Sequence, residues 1–222
     1  MPHRATRDAD LLGFGASDLD SVAKTFRNIA SVAADDGIVF DPNSVVAEEI
    51  RKDAGYGGAR VLINCELAKA RCRTQIDIGF GDAVTPAPIE ATYPVLLSDL
   101  PAPRLHTYPA YTVVAEKLHA IALLGMTNSR VKDYLDLSVL LARETLDIDL
   151  LAQAIKATFE RRGMAVPTTL PIGLTDEFAQ DASLQALWRA FLKKNELASE
   201  PLADTVERLR AALEPALNRA TQ

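Results

Sequence analysis

Residues 6–15 read Thr6-Arg7-Asp8-Ala9-Asp10-Leu11-Leu12-Gly13-Phe14-Gly15, and the fold turns on how they are read. The apolar pair after Asp10 and the glycines that follow describe a short strand ending at Gly13. On a strand, residues i and i+2 share a face, so Asp8 and Asp10 project side by side. Adjacent carboxylates repel unless a cation or a positive side chain lies between them, and magnesium, which takes oxygen ligands, is the usual partner. A bare Asp-x-Asp is more often a solvated strand edge, so the pair alone leaves both readings open.

Outward from this strand, Asp18 is a good N-cap for a helix over residues 19–34, with Leu19, Val22, Phe26, Ile29 and Val32 at helical spacing. Strands are expected at 44–52, 59–67 and 72–80. Gly55-Tyr56-Gly57-Gly58 reads as the turn between the first two and Ala68-Lys69-Ala70 as the hairpin between the next two. Pro86, Pro88, Pro94, Pro101, Pro103 and Pro109 make 86–109 an irregular connection, with one short strand near Tyr93–Leu97. Beyond Pro109 the period becomes helical over 110–124 and 129–143, with Gly125 as C-cap and Asn128 or Ser129 as N-cap. Further helices are expected at 148–162, 183–195 and 202–219. The fold class is therefore α+β, a mixed half over 1–109 and an all-helical half over 110–222.

The 222 residues are 48% apolar and 24% charged, an ordinary globular balance that argues against disorder. A formal charge of −6 excludes a wholesale basic nucleic-acid coat, so any RNA or DNA contact must come from a local patch. No run approaches the ~18 apolar residues of a membrane span. The start Met1-Pro2-His3-Arg4 lacks a secretory apolar region, so a cytoplasmic protein is expected. Cys65 and Cys72 are too few for a disulfide framework, and His3, His106 and His119 show no ligand spacing, which excludes zinc. The cysteines fall roughly opposite each other across a hairpin, and reduced core thiols are expected.

Three further positions break their local pattern. Asp77 sits in mid-strand, a poor place for aspartate, on the face of Arg73, Gln75 and Gly79. It is either a solvated residue or a ligand. Lys117 lies inside the stripe Val113, Val114, Lys117, Ile121 and Leu124, which suits either a snorkelling side chain or a cation aimed at phosphate. Asp133 shares a face with Leu137 and Leu140 and has Arg130 and Asp136 as helical neighbours. It could orient Lys117 on the preceding antiparallel helix or belong to a surface network with Arg130 and Lys132. The basic group Lys69, Arg71 and Arg73 adjoins the Asp77 strand and could meet a polyanion. Gly55-Tyr56-Gly57-Gly58 carries no Gly-Lys-Ser/Thr and is no phosphate loop, and no Gly-x-Ser-x-Gly occurs.

Four stretches taken in order carry a resemblance. They are residues 2–15 from Pro2 to Gly15, Gln75-Ile76-Asp77-Ile78-Gly79-Phe80-Gly81-Asp82, Val114-Ala115-Glu116-Lys117-Leu118, and Ser129-Arg130-Val131-Lys132-Asp133-Tyr134-Leu135-Asp136-Leu137. Together they resemble the AbiEii/AbiGii toxin family, nucleotidyltransferase-like toxins of type IV toxin–antitoxin and phage-defence systems related to the MenT toxins. The resemblance implies a polymerase-β-type nucleotidyltransferase palm, 1–109, followed by a helical domain, 110–222. It implies Asp8 and Asp10 as magnesium ligands with Asp77 as a third carboxylate, Lys117 and Arg130 on the nucleotide, and Asp133 as the acidic residue of the last motif. Catalysis would then rest on Asp8, Asp10, Lys117 and Asp133. Mg2+ would be the cofactor, NTP the substrate, an RNA end such as the tRNA acceptor stem the acceptor, and a cognate antitoxin the partner. The family carries a helix and a Gly-Ser or Lys-Gly-Gly/Ala segment before its Asp-x-Asp strand, a segment that does not precede Asp8 here. A sheet starting at Asp8 is expected to lack the helix over one face, with self-association or weak NTP binding as the result. Two other readings compete with the toxin enzyme: a catalytically silent homologue that binds a partner, and a phosphotransferase or nucleotidyltransferase acting on a small molecule.

Overall fold

The computed structural model describes residue 6, residues 8–52, 56–95, 97 and 99–222. The chain divides into two compact units, Thr6–Asp82 with Val95–Pro101, and Ala83–Pro94 with Ala102–Gln222.

The first unit is a mixed sheet with one helix. Its elements are β1 (Asp8–Gly13), α1 (Leu19–Ala30), β2 (Ile38–Phe40), β3 (Val46–Lys52), β4 (Tyr56–Leu67) and β5 (Ala70–Phe80). The strand order is β1-β5-β4-β2, with β3 also on β4, and β1 runs parallel to β5 while the other pairs are antiparallel. β4 is long enough to take β3 along its first half and β2 along its end. Ala68 and Lys69 both adopt positive φ, 47° and 77°, which matches the twist of a two-residue hairpin, so Ala70 already belongs to β5. Gly57 and Gly58 are strand residues opposite Arg51 and Ile50 rather than a turn. A Cβ on Gly58 would stand 3.0 Å from the Ile78 carbonyl oxygen, which is why the strand carries glycine there. The expected turn residue Gly55 lies outside the described residues.

Asp18 caps α1 as expected, its side chain accepting the Ser21 N–H at 2.9 Å. The helix stops at Ala30, short of residue 34, where the Ser31 N–H and hydroxyl both turn back to the Arg27 carbonyl. Its core face is Val22, Ala23, Phe26 and Ala30, packed on Ala59, Val61, Ile63 and Ile78. Ile29 and Val32 of the expected stripe are exposed. One face of the sheet is therefore covered by α1. Cys65 and Cys72 stand directly opposite in β4 and β5, with Cα atoms 5.3 Å apart, and their sulfurs are bonded. The register itself brings the two Cβ atoms together, which corrects the expectation of separate thiols.

The second unit contains β6 (Ile89–Thr92) and β7 (Arg104–Thr107), then α2 (Ala110–Leu124), α3 (Val131–Arg143), α4 (Ile148–Arg161), α5 (Asp176–Gln180), α6 (Ala182–Lys194) and α7 (Leu202–Ala220). β6 and β7 pair with each other in place of the expected strand near Tyr93–Leu97, because the prolines flank these strands rather than interrupt them. Of that expected stretch Leu96 lies outside the described residues, and 93–95 and 97 are not in a strand. Thr112 at the start of α2 holds Thr85 through its hydroxyl, which bonds both the N–H and the carbonyl of Thr85 at 3.0 Å. The core gathers around Leu118, Ile121, Tyr134, Leu137, Phe159, Phe178, Trp188 and Leu209. Tyr134 stacks on Phe178 and donates its hydroxyl to the Gly173 carbonyl. α2 is buried almost all round, on Ala115, Leu118 and His119 as well as Val114 and Ile121, so it is the central helix of this unit. No described helix is long and apolar enough to cross a membrane.

Candidate active site

In the first unit the register assembles a charged row. Directly opposed strand residues share a face, so Asp10, Asp77, Arg60 and Glu48 lie in line across β1, β5, β4 and β3. Asp8 stands beside Gln75 in the next row. This is the face that α1 does not cover, since Ala59, Val61 and Ile78 of the other parity form the core with α1. Arg60 grips Asp77 with two parallel bonds, Nε to Oδ1 and Nη2 to Oδ2, both 2.8 Å, and Gln75 Nε2 adds a third at 3.2 Å. The hydrogen bond to Asp77 holds the Arg60 guanidinium above its usual range despite partial desolvation, with Asp77, Glu48 and Asp8 charges in support. Asp8 accepts from the Thr6 hydroxyl at 3.2 Å. Sequence reading found the three aspartates and missed Arg60.

Among the described residues no three His, Cys, Asp or Glu side chains converge as a metal-holding group. Magnesium, however, is ordinarily held by one or two carboxylates plus substrate phosphates rather than by an all-protein cage. Asp8 and Asp10, oxygen donors side by side on one strand face, fit that pattern. Asp77 has both oxygens on Arg60, which leaves a charge-compensated carboxylate beside Asp10.

The second group lies in the helical unit. Lys117 of α2 places its Nζ 2.8 Å from both Asp133 Oδ1 and Asp136 Oδ2 of α3. Asp133 is fully buried and Lys117 is 18% exposed, while Arg130, whose Nε is 2.8 Å from Asp133 Oδ2, is 51% exposed. Asp133 lies in the first turn of α3, where a negative charge suits the helix dipole, and Asp136 follows one turn later on the same side. The expected contact of Asp133 with Lys117 on the preceding helix is present, and Asp136 joins it, so the ammonium neither reaches freely into solvent nor stands alone. Two carboxylates compensate Lys117 and Arg130, and Arg130 is the cation that faces outward. The expected N-cap Asn128 is buried and accepts the Arg130 N–H at 2.9 Å, one position before α3 begins. A cleft of about 350 Å³ between α6 and the start of α7, lined by Gln185, Trp188, Arg189 and Glu200, holds none of these residues.

A family model described as nucleotidyl transferase AbiEii toxin, type IV toxin–antitoxin system, matches residues 1–215. The chain belongs to the AbiEii nucleotidyl transferase toxin family. Its fold is similar to a crystal structure from H. pylori described as a "putative nucleotidyltransferase", at TM-score 0.51 and 16% identity, covering 98% of this chain and 80% of that one. The H. pylori protein JHP933 is a second likeness, at TM-score 0.48 and 16% identity over 98% of this chain and 78% of that one. No curated protein matches the chain. The AbiEii membership and the first H. pylori likeness give the mixed sheet its reading as a nucleotidyltransferase palm followed by helices.

Proposed function

We propose that this AbiEii-family chain transfers a nucleotidyl group from a nucleoside triphosphate to a hydroxyl at an RNA end, with tRNA as the acceptor. The observation that carries the reading is the placement of Asp8 and Asp10 on the solvent-facing side of the sheet, beside an Asp77 fixed by Arg60. In the reaction the acceptor oxygen bonds to the α-phosphorus, the bond to the β-phosphate oxygen breaks, and pyrophosphate leaves. Asp8 and Asp10 would hold Mg2+, with Asp77 as a third carboxylate beside them, and magnesium there would neutralise the triphosphate as charge shifts to the leaving group.

The family likeness assigns Lys117 and Arg130 to the nucleotide phosphates and Asp133 to the catalytic set. Lys117 spends two of its three ammonium hydrogens on Asp133 and Asp136 and keeps one for a phosphate oxygen, and Arg130 keeps guanidinium donors beyond the one on Asp133. Both cations can therefore serve the phosphates, with Arg130 the more exposed of the two and Lys117 also positioning Asp133. A cognate antitoxin is the partner that the family's description implies. NTP and tRNA as substrates would place the reaction in the cytoplasm.

The test is incubation of the purified chain with α-labelled NTP, bulk tRNA and magnesium. Label should enter RNA, and Asp8→Asn and Asp10→Asn should each abolish its entry while the circular dichroism spectrum is retained. Undiminished transfer by either variant would overturn the assignment of these carboxylates. Transfer to a small molecule in place of RNA would overturn the acceptor.

A further inference from the structure

The charged face of the sheet does not end at Asp77. Alternate residues of β5 share that face, so the series Asp77, Gln75, Arg73, Arg71 runs along one line toward the hairpin tip. At the tip Lys69 sits at φ 77° in the two-residue turn. The change of sign along the line is abrupt. Near Asp77 lie Asp8, Asp10 and the Arg60 pair, whereas Arg71, Arg73 and Lys69 are all exposed and make no ion pair or side-chain hydrogen bond among the described residues. Glu66 stands opposite Arg71 on β4, and Asn64 stands opposite Arg73. In a chain of formal charge −6, three such cations on one hairpin are a local exception.

Structural need does not account for them. The hydrophobic core of this unit lies on the other face, with Ile76, Ile78, Val61 and Ile63 against α1. Exposed arginines two apart on a rigid strand, spaced about 6.6 Å at 3.3 Å per residue, form a linear array. A linear polyanion complements that array, and arginine offers forked donors that match phosphate.

We propose that Lys69, Arg71 and Arg73 form a track for the phosphate backbone of a single-stranded acceptor RNA, which enters from the hairpin tip and ends with its terminal hydroxyl at Asp8 and Asp10. The track rests on the reading of the site as an RNA-directed transferase and adds to it the surface that holds the acceptor. The phosphates bind where the strand is basic. The acidic end repels further backbone, so the array itself sets the direction in which the strand lies.

The experiment measures binding of a short fluorescein-labelled single-stranded RNA by anisotropy, between about 50 and 200 mM salt. The wild type is compared with Arg71→Gln/Arg73→Gln and with Lys193→Gln/Lys194→Gln, which removes equal charge from exposed residues of α6. The track predicts that the arginine double variant binds RNA about tenfold or more weakly at the low-salt end. Its slope of log affinity on log salt should be shallower by about 1.4, two phosphate contacts at ~0.7 each. The lysine double variant should keep the wild-type slope, and NTP affinity should be the same in all three. Equal affinity and slope in wild type and arginine variant would overturn the track while leaving the transferase reading intact. Wild-type chain that labels RNA without measurable dependence on salt would do the same. Failure of the wild type to bind RNA would remove both the track and the RNA acceptor. Competition by polyglutamate as strong as by RNA would assign the surface to an acidic protein and overturn the proposal.

Discussion

Arg60 and Asp77 form a forked ion pair in the middle of a sheet face, between Asp10 on one side and Glu48 on the other. Asp77 is 16% exposed, so removing its partner leaves a partly desolvated carboxylate beside a second one. Arg60→Met should therefore destabilise the chain by about 1–2 kcal/mol, with Arg60→Lys recovering part of the loss because it keeps the charge but not the fork. Urea denaturation followed by circular dichroism checks this, and Arg60→Met/Asp77→Asn should cost less than the sum of the single variants. A second residue effect concerns His119, buried in α2 against the edge of Phe159 and beside Arg162. Burial first and the Arg162 charge second lower its pKa from 6.5 to about 4. A depressed histidine is neutral in the folded chain while the unfolded chain takes up a proton below pH 6.5. Stability is thus fully present above pH 6.5 and falls as pH drops toward about 4. Between pH 7 and pH 5 the loss should be about 2 kcal/mol. The slope of unfolding free energy on pH in that window should flatten in His119→Phe, and an unchanged slope would show that His119 is not its source.

At the scale of elements, α2 and α3 are joined by Lys117 between Asp133 and Asp136. Lysine inside an apolar stripe usually tolerates methionine, since the stem packs alike. Here the substitution strands the fully buried Asp133 with only the half-exposed Arg130 for compensation. Lys117→Met should cost about 3–5 kcal/mol, the scale for breaking a buried pair from one side. Lys117→Met/Asp133→Leu should recover much of it, because both charges leave together. A thermal melt of the three variants decides this. A Lys117→Met variant as stable as wild type would return the lysine to a free phosphate-binding role.

At the scale of the whole chain, the two units have separate hydrophobic clusters of very different size. The helical cluster includes Trp188, Tyr134, Phe159 and Phe178, whereas the sheet cluster is built on Val22, Phe26, Val61 and Ile78. Stability from burial grows with the apolar area removed from water, so the sheet unit should unfold at lower denaturant. Trp188 is the one tryptophan of the chain and belongs to the helical unit. Its fluorescence should therefore report a later midpoint than the far-ultraviolet signal, which sums both units. Coincident midpoints would show that the chain unfolds as one cooperative body.

Periodicity and capping placed β1, α1, the β4–β5 hairpin and the long helices from sequence, because these depend on local preferences: an Asp N-cap at 18, a glycine C-cap at 125, alternation along β5. The short pieces were not legible. β2, β6 and β7 are three or four residues each, too few to show a period, and α5 is a single capped turn after Thr175. The pattern of Asp8, Asp10, Asp77, Lys117 and Asp133 carried the family resemblance as a string of residues. Apart from Asp133 with Lys117, the partners did not follow from it. Arg60 meets Asp77 because the turn is Ala68-Lys69 alone, the register that also sets Cys65 opposite Cys72 as expected, although a three-residue turn would shift it. Asp136 joins Asp133 on Lys117 because two helices pack side by side at that height, a contact between residues 19 apart in sequence. Local spacing determined which residues share a face. Strand register and helix packing decided which charges meet across it, since electrostatic partners are chosen by distance in space rather than along the chain.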